Sequence, residues 1–370
     1  MNILLTTENL FPSQIGGASN AIYWHAKALS DRDLKVSVIV TSQGIEEKHN
    51  IPIDKWINLN YGEVIYCKNR LAAFYEVLRN YNKYDIIHLS SLFYFPSILT
   101  AIYSFFRKKQ LVWSPRGECS INALKFSRWK KLPVLKLIKA ISKNVLFHST
   151  SAKETTEIRD IFGNVKITEV PNYLYLENRL TIPVKQQFLF MGRIHPIKAI
   201  ENLIEAFSIS NQILSHNFTL QIIGSSKGTE SYLEDLKKLV DELNLIKTIQ
   251  FIDHIEGEEK TIKLAESYCL ILPSHTENFG NVVIEALNQG TPVIASNNTP
   301  WESLEIYSAG FHVPNDPQNI ANAICAIITA DNEDYNLLRN NAYSFCKSQF
   351  SITDNIGEWI AIYESILQSK

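Results

Sequence analysis

Ser274-His275-Thr276-Glu277-Asn278-Phe279-Gly280-Asn281-Val282-Val283-Ile284-Glu285-Ala286-Leu287, closed by Gly290-Thr291-Pro292-Val293-Ile294-Ala295-Ser296, sets the terms for the whole chain. The apolar run 268–272 ahead of it reads as a buried strand, and Pro273 ends that strand. A loop then carries Glu277. Gly280 opens a short helix with apolar positions at Val282, Val283, Ala286 and Leu287. Gly290 stops the helix, and residues 292–295 start the next buried strand. Side chains on a helix lean toward its N-terminus, so Glu285 is aimed back at the loop that holds Glu277. Backbone N–H groups of residues 278–281 would face an anion bound there.

The same rhythm runs outward in both directions. In the first half, strands are expected at 3–7, 35–41, 85–90, 111–114, 145–149 and 167–170, with helices at 20–30, 71–81, 96–107, 125–142 and 152–162. In the second half, strands at 188–191, 219–223, 249–252, 268–272 and 292–295 again alternate with helices, and helices at 318–329, 335–349 and 354–368 close the chain. Near-continuous Val/Ile runs mark strands covered on both faces, the habit of parallel sheets. The expected architecture is α/β: two Rossmann-like doubly wound parallel-sheet domains facing a central cleft. The first spans 1–172, a polar, proline-marked linker spans 173–186, and the second spans 187–350. Residues 351–370 form a last helix, expected to pack back on the first domain.

Composition narrows the class. Of 370 residues, 45% are hydrophobic and 20% charged, which fits a packed globular protein. No apolar run is long enough to span a bilayer, and a strand at the N-terminus leaves no room for a signal peptide, so a cytoplasmic protein is expected. The five cysteines form no CxxC pair and the nine histidines show no ligand spacing, so no structural metal is expected. Residues 1–182 carry 24 Lys+Arg against 15 Asp+Glu, a net +9; the rest carry 12 against 23, a net −11. A basic half suits anionic lipid or a phosphate-bearing substrate. No base-reading motif accompanies the charge, so nucleic acid is not an expected partner.

Doubly wound domains bind ligands beyond the carboxyl ends of their strands. Neither G-x-G-x-x-G nor a P-loop occurs, which removes the two common phosphate-binding fingerprints. The candidate residues lie at strand ends nonetheless. Gly192-Arg193-Ile194-His195-Pro196-Ile197-Lys198 places two cations after a buried strand, where they can stabilise negative charge on a ligand. Gly16-Gly17 follows the first strand and allows close backbone approach to a ligand. Ser114-Pro115-Arg116-Gly117-Glu118 follows another strand, and His88 ends a further one, read either as bonded to a neighbouring loop or as a substrate contact. Residues 125–143, from Lys125 to Lys143, mix seven cations with Trp129 and aliphatics. They read either as a helix packed on its own sheet or as a contact with an anionic membrane, in two short pieces because Pro133 interrupts them. Glu277 and Glu285 are not singled out by spacing, since Glu169/Glu177, Glu234/Glu242 and Glu258/Glu266 repeat it. Their context is what separates them: a strand before, Asn-Phe-Gly between and Gly-Thr-Pro after.

That context, with the Gly-Arg…Lys motif, resembles the retaining glycosyltransferases of family 4, which have the GT-B fold, and in particular members that assemble polysaccharides. The resemblance covers essentially the whole chain. It implies transfer of a hexosyl unit from a nucleotide diphospho-sugar to a hydroxyl of a glycan or lipid-linked acceptor, with neither metal nor other cofactor. Arg193 and Lys198 would clamp the diphosphate, and Glu277 would contact donor-sugar hydroxyls. Glu285 would hold the ribose, and the backbone of Asn278, Phe279, Gly280, Asn281 and Val282 would lie along the donor. Gly17 would approach the donor phosphates, while Gly224 and Ile255 would shape the donor pocket. Gly16, His88 and Arg116 fall on the acceptor side. Two positions depart from the pattern: Ala199 stands where Gly is usual, and Arg116 where many relatives have His. Arg cannot act as a general base, so its presence suits a mechanism in which the leaving phosphate takes the acceptor proton. A nucleotide-sugar epimerase on the same fold, or a catalytically silent nucleotide-sugar-binding protein, are the alternatives.

Overall fold

Strand β1 (Asn2–Thr7) shows how the first sheet is built. Ile3 and Leu5 point into one apolar cluster and Leu4 into another, and all three are fully buried. A strand buried on both faces cannot alternate polar and apolar residues, which is why its sequence is a continuous apolar run. The computed structural model describes residues 1–13, 17–46, 49–125, 128–210 and 215–368. It resolves into two units: Met1–Tyr175 with Ser351–Lys370, and Leu176–Phe350.

In the first unit β1 is joined by β2 (Lys35–Thr41), β3 (Trp56–Leu59), β4 (Gly62–Cys67), β5 (Ile86–Ser90), β6 (Leu111–Ser114), β7 (Val145–Ser149) and β8 (Lys166–Glu169). The spatial order is β3-β4-β2-β1-β5-β6-β7-β8, parallel throughout except for the β3–β4 hairpin. Neither hairpin strand was expected from the sequence. Strand β3 is a four-residue edge whose apolar residues Trp56 and Leu59 are exposed, too short to show a strand pattern. Gly62 at the turn has φ +121°, and a Cβ there would come within 2.5 Å of the Val36 carbonyl oxygen.

The helix Ile352–Gln368 belongs to this unit. Ile352, Ile356, Trp359, Tyr363 and Ile366 recur at helical spacing and join Ile3, Leu5 and Ile22 in one apolar cluster. Trp359 is 4% exposed. Truncating a buried Trp typically costs about 3–5 kcal/mol, so this helix is an integral wall of the unit. The helix Arg128–Ile141 is continuous through Pro133, which corrects the expectation of two pieces. Leu135, Ile138 and Ile141 are buried beyond the proline, while Pro133 itself faces solvent, so the one backbone hydrogen bond it removes is lost at the wet side.

In the second unit β9 (Gln187–Met191), β10 (Thr219–Ile223), β11 (Ile249–Ile252), β12 (Cys269–Leu272), β13 (Val293–Ser296) and β14 (Gly310–Val313) form a fully parallel sheet in the order β11-β10-β9-β12-β13-β14. Phe188, Phe190, Leu220, Ile222, Ile271 and Ile294 stack with the helices Ile200–Ile209 and Pro317–Thr329 into its main core. Strand β14 was not expected. It is only partly buried, and it begins at Gly310, where a Cβ would meet the Val293 carbonyl oxygen at 1.9 Å.

Among the described residues no helix is long and apolar enough to cross a membrane. Nor do three or more His, Cys, Asp or Glu side chains gather in a group fit to hold a metal.

Candidate active site

The connection direction in the second sheet reverses between β9 and β12, which lie side by side. That is where a doubly wound sheet opens a crevice beyond its carboxyl ends. The loop after β9 carries Arg193 and Lys198, and the loop after β12 carries Glu277. The topology therefore brings together residues that are far apart in sequence. Lys198 Nζ and the Glu277 carboxylate form an ion pair, with side chains only 14% and 17% exposed. Arg193 is exposed and, among the described residues, forms no ion pair. His195 Nδ1 accepts from the Ile197 amide, and burial together with Arg193 and Lys198 holds its pKa down. This histidine therefore stays neutral between its two cations.

Backbone constraints shape the loop. A Cβ on Gly224 would fall 1.7 Å from the Gly192 carbonyl oxygen, so the ends of β9 and β10 meet at a spacing only glycine allows. Ala199 has φ +49° and ψ +46°, the left-handed region. A glycine would relax there, which accounts for the usual residue of the pattern; the alanine methyl is fully buried instead. Ile255 is buried, 9% exposed.

After β12, Gly280 takes the N-cap position of the helix Asn281–Asn288 with φ +84° and no side-chain cap. A Cβ there would press on Glu277 Cγ and Leu272 Cδ2, both at 3.2 Å. The helix start therefore lies directly against Glu277, and its dipole favours negative charge at that end. Trp301, in the Thr299-Pro300-Trp301-Glu302 turn, fixes this loop by packing. It is 1% exposed, its Nε1–H donates to the Phe279 carbonyl at 2.5 Å, and its ring packs on Phe279 and Phe350. Glu285, one turn into the helix, pairs with Lys260 Nζ at 2.6 Å. Lys260 was not expected from the sequence, because nothing local ties the helix Gly257–Glu266 to Glu285. Asn278, Asn281 and Val282 are half-buried along the same edge, and Phe279 is buried.

The candidates of the first unit form a separate constellation. Gly16 lies outside the described residues, and Gly17 begins the helix Gly17–Ser30. Arg116 sits in the left-handed region at φ +58°. Two carboxylates clamp the loop around it. Glu154 accepts from the Gly117 amide at 2.6 Å, while Glu118 accepts from Ser91 Oγ at 2.6 Å and from the Leu92 amide. Arg116 Nη1 donates to Asn172 Oδ1 at 3.1 Å.

His88 presents no free ring nitrogen. It is 1% exposed, and both ring nitrogens are engaged inside the unit. A single chain of hydrogen bonds runs through it, and its direction can be derived. His148 Nε2 faces the Val170 carbonyl at 2.8 Å and must donate. Its Nδ1 then accepts from Ser114 Oγ at 2.7 Å, and Ser114 accepts from His88 Nε2 at 2.7 Å. His88 Nδ1 accepts from the Tyr363 hydroxyl at 2.8 Å, and that oxygen accepts from His25 Nε2 at 2.7 Å. This assignment requires three neutral imidazoles. Burial first, then nearby positive charge including Arg116, drives His25 and His148 down to about 3 and His88 well below its ordinary value. The chain ties the last helix, through Tyr363, to β5, β6 and β7.

Comparisons with known proteins agree with this organisation. The family model described as Glycosyltransferase Family 4 matches residues 15–177, and that described as Glycosyl transferases group 1 matches residues 177–345. An uncharacterized 41.2 kDa protein in the cps region of Klebsiella pneumoniae is 23% identical over 305 residues, 77% of this chain and 80% of that protein. The O-antigen chain mannosyltransferase RfbU of Salmonella typhimurium is 25% identical over 229 residues, so the chain spans 62% of that relative's length. Anabaena HepE, solved in complex with UDP, superposes with a TM-score of 0.78 at 21% identity, over 99% of this chain and 100% of that one. At that identity the likeness is one of fold.

Proposed function

Because this chain belongs to glycosyltransferase family 4 and has the GT-B fold, we propose that it moves a hexosyl unit from a nucleotide diphospho-sugar to a hydroxyl of a glycan or lipid-linked acceptor, with retention at the anomeric carbon. The observation that carries this reading is the meeting of Lys198, Glu277 and the Gly280-started helix at the switch point of the second sheet. Cations and a helix N-terminus suit a diphosphate, and a carboxylate beside them suits sugar hydroxyls. HepE, whose solved complexes hold UDP and UDP-glucose, makes a nucleotide-sugar donor the natural choice. The mannosyltransferase and the cps-region protein among the relatives point to assembly of cell-surface polysaccharide.

In this reading the acceptor oxygen attacks the anomeric carbon, the bond from that carbon to the phosphate oxygen breaks, and the nucleoside diphosphate leaves with the electron pair. The acceptor proton passes to the departing phosphate on the same face of the sugar. Arg193, Lys198 and the helix N-terminus supply the counter-charge, so no metal ion is needed. On donor binding Lys198 turns from Glu277 to the diphosphate, and Glu277 is freed to accept from sugar hydroxyls. Lys260 holds Glu285 ready for the ribose. Arg116, set by Glu118, Glu154 and Asn172, is the acceptor-side charge, and residues 125–143 face an anionic membrane. The exposure of Ile121 and Trp129, 74% and 75%, supports that last assignment.

A panel of UDP-, GDP- and ADP-sugars incubated with the protein, with and without a membrane extract, tests the proposal through nucleotide release. Acceptor-dependent release is expected. Isomerised donor without release would point instead to an epimerase, and binding with neither outcome to a silent binding protein.

A further inference from the structure

On the first unit the helices Ile121–Lys125 and Arg128–Ile141, with Ile161 of the helix Ala152–Phe162, enclose a groove of about 480 Å3. This volume falls among those of sites for small ligands, roughly 300–1,000 Å3. The lining is of two chemical kinds. Leu124, Leu135 and Ile161 make an apolar floor, the exposed Ile121 and Leu132 flank it, and Lys125, Arg128, Lys131, Lys136 and Lys139 stand around it. No carboxylate is among them, and residues 125–143 contain no Asp or Glu. Lys131 Nζ donates to the Ala123 carbonyl at 2.6 Å and Lys139 Nζ to the Ile161 carbonyl at 3.3 Å, so neither charge is neutralised by these bonds.

Five cations around hydrocarbon repel one another, and an anion at the rim relieves that repulsion. Hydrocarbon in the groove would at the same time cover the floor. The loop 115–120 that sets Arg116 leads in sequence into the helix Ile121–Lys125. Lys131 lies near Glu118, whose carboxyl is pushed above its ordinary pKa by burial, with the Ser91, Leu92 and Phe93 hydrogen bonds and the Lys131 charge opposing that rise.

We propose that this groove takes one hydrocarbon chain of a phosphate-bearing bilayer lipid, the phosphate resting on the cations of its rim. The proposal deepens the membrane-facing reading of residues 125–143 and rests on it for its source of lipid. A basic surface alone attracts anionic headgroups whatever their tails. An enclosed apolar floor adds a dependence on chain length, about fourfold per methylene buried.

Octyl, decyl and dodecyl phosphate, each below its micelle-forming concentration, are titrated into the full chain by calorimetry, with inorganic phosphate and dodecyl maltoside as comparison probes. Saturable binding of one alkyl phosphate per chain is expected, tightening by on the order of 200-fold from octyl to dodecyl. Inorganic phosphate and the uncharged detergent should bind far more weakly. Leu124→Trp fills the floor and is expected to lose at least tenfold in dodecyl phosphate affinity, while still sedimenting with phosphatidylglycerol vesicles. Should that variant not fold by circular dichroism, Leu132→Trp, at a more exposed position, takes its place. Arg128→Glu with Lys136→Glu is expected to weaken vesicle binding by at least about 25-fold, near fivefold per cation. Affinity independent of chain length, or a folded groove-filling variant with unchanged affinity, overturns the groove and leaves the membrane reading standing. Wild-type protein that ignores anionic vesicles overturns the membrane reading, and the alkyl phosphates then decide the groove on their own.

Discussion

The Lys198–Glu277 pair offers the sharpest test of how the second unit is poised. Both side chains are about one-seventh exposed, which places the pair between a surface bridge and a fully buried one. Exposed pairs contribute about 0–1 kcal/mol, and removing one partner of a buried pair costs about 3–5 kcal/mol. An intermediate cost of about 2 kcal/mol is therefore expected for Lys198→Ala or Glu277→Ala, chiefly because each leaves a partly desolvated charge without its partner. The double variant leaves neither charge behind. Its cost should fall short of the sum of the single costs by about 2 kcal/mol, within the usual range for contacting residues. Urea unfolding of the four proteins measures this coupling. Activity should not follow the same pattern. Lys198→Ala removes a charge that stabilises the departing diphosphate and should lower kcat by about 100- to 1,000-fold, and the double variant should not recover it. Stability costs that simply add, or a Lys198→Ala enzyme turning over at wild-type rate, would refute the reasoning.

Three further outcomes follow from the geometry. Trp301→Phe removes the donor to the buried Phe279 carbonyl and should cost about 1–3 kcal/mol in urea unfolding while raising KM for the donor, since the turn before Gly280 loses its anchor. Tyr363→Phe breaks the hydrogen-bond chain between His25 and His88, leaving two buried ring nitrogens unmatched; a loss of about 2–5 kcal/mol is expected, and a loss under about 0.5 kcal/mol would mean the chain is not continuous there. The depressed histidines make the fold acid-sensitive. His25 and His148 stay neutral in the folded protein down to about 3, whereas in the unfolded chain they take up protons below about 6.5. Their contribution is therefore present above about pH 6.5 and is lost as pH falls toward 3, at up to about 1.4 kcal/mol per pH unit for each histidine. Unfolding free energies measured between pH 7 and 5 should show this fall, with His25→Gln reducing its slope by one histidine's share.

What could be read in the sequence, and what could not, follows from where each signal resides. Most buried parallel strands advertise themselves, as in the Val36–Val40 run of β2, because both faces must be apolar; β4, whose buried run Val64–Cys67 is only four residues long, was missed all the same. The edge strands β3 and β14 are four residues each, interrupted by Asn58 and His312, so neither carries a continuous run. Pro133 looked like a break because its local cost is plain, whereas the burial of Leu135, Ile138 and Ile141 that outweighs it is tertiary. The Glu277 loop stood out through the glycines and proline that its backbone demands. Its supports did not. Lys260 reaches Glu285 from another helix, the contact of Trp301 with Phe279 comes from beyond β13, and Tyr363 reaches His88 from the far end of the chain. A residue whose role is to touch something distant in sequence leaves no local pattern. The same holds for His88, whose partners lie on β6 and the last helix rather than on a neighbouring loop.

Donor binding by the second unit is the claim on which the functional account depends, and calorimetric titration of the preferred nucleoside diphosphate into wild type and Glu285→Ala tests it most directly. A carboxylate hydrogen-bonded to ribose contributes about 1.5–3 kcal/mol. Saturable binding by wild type is expected, with a dissociation constant about 10- to 150-fold weaker in Glu285→Ala and the same melting temperature in the absence of nucleotide to within a few degrees. An unchanged dissociation constant in the folded variant would contradict this claim.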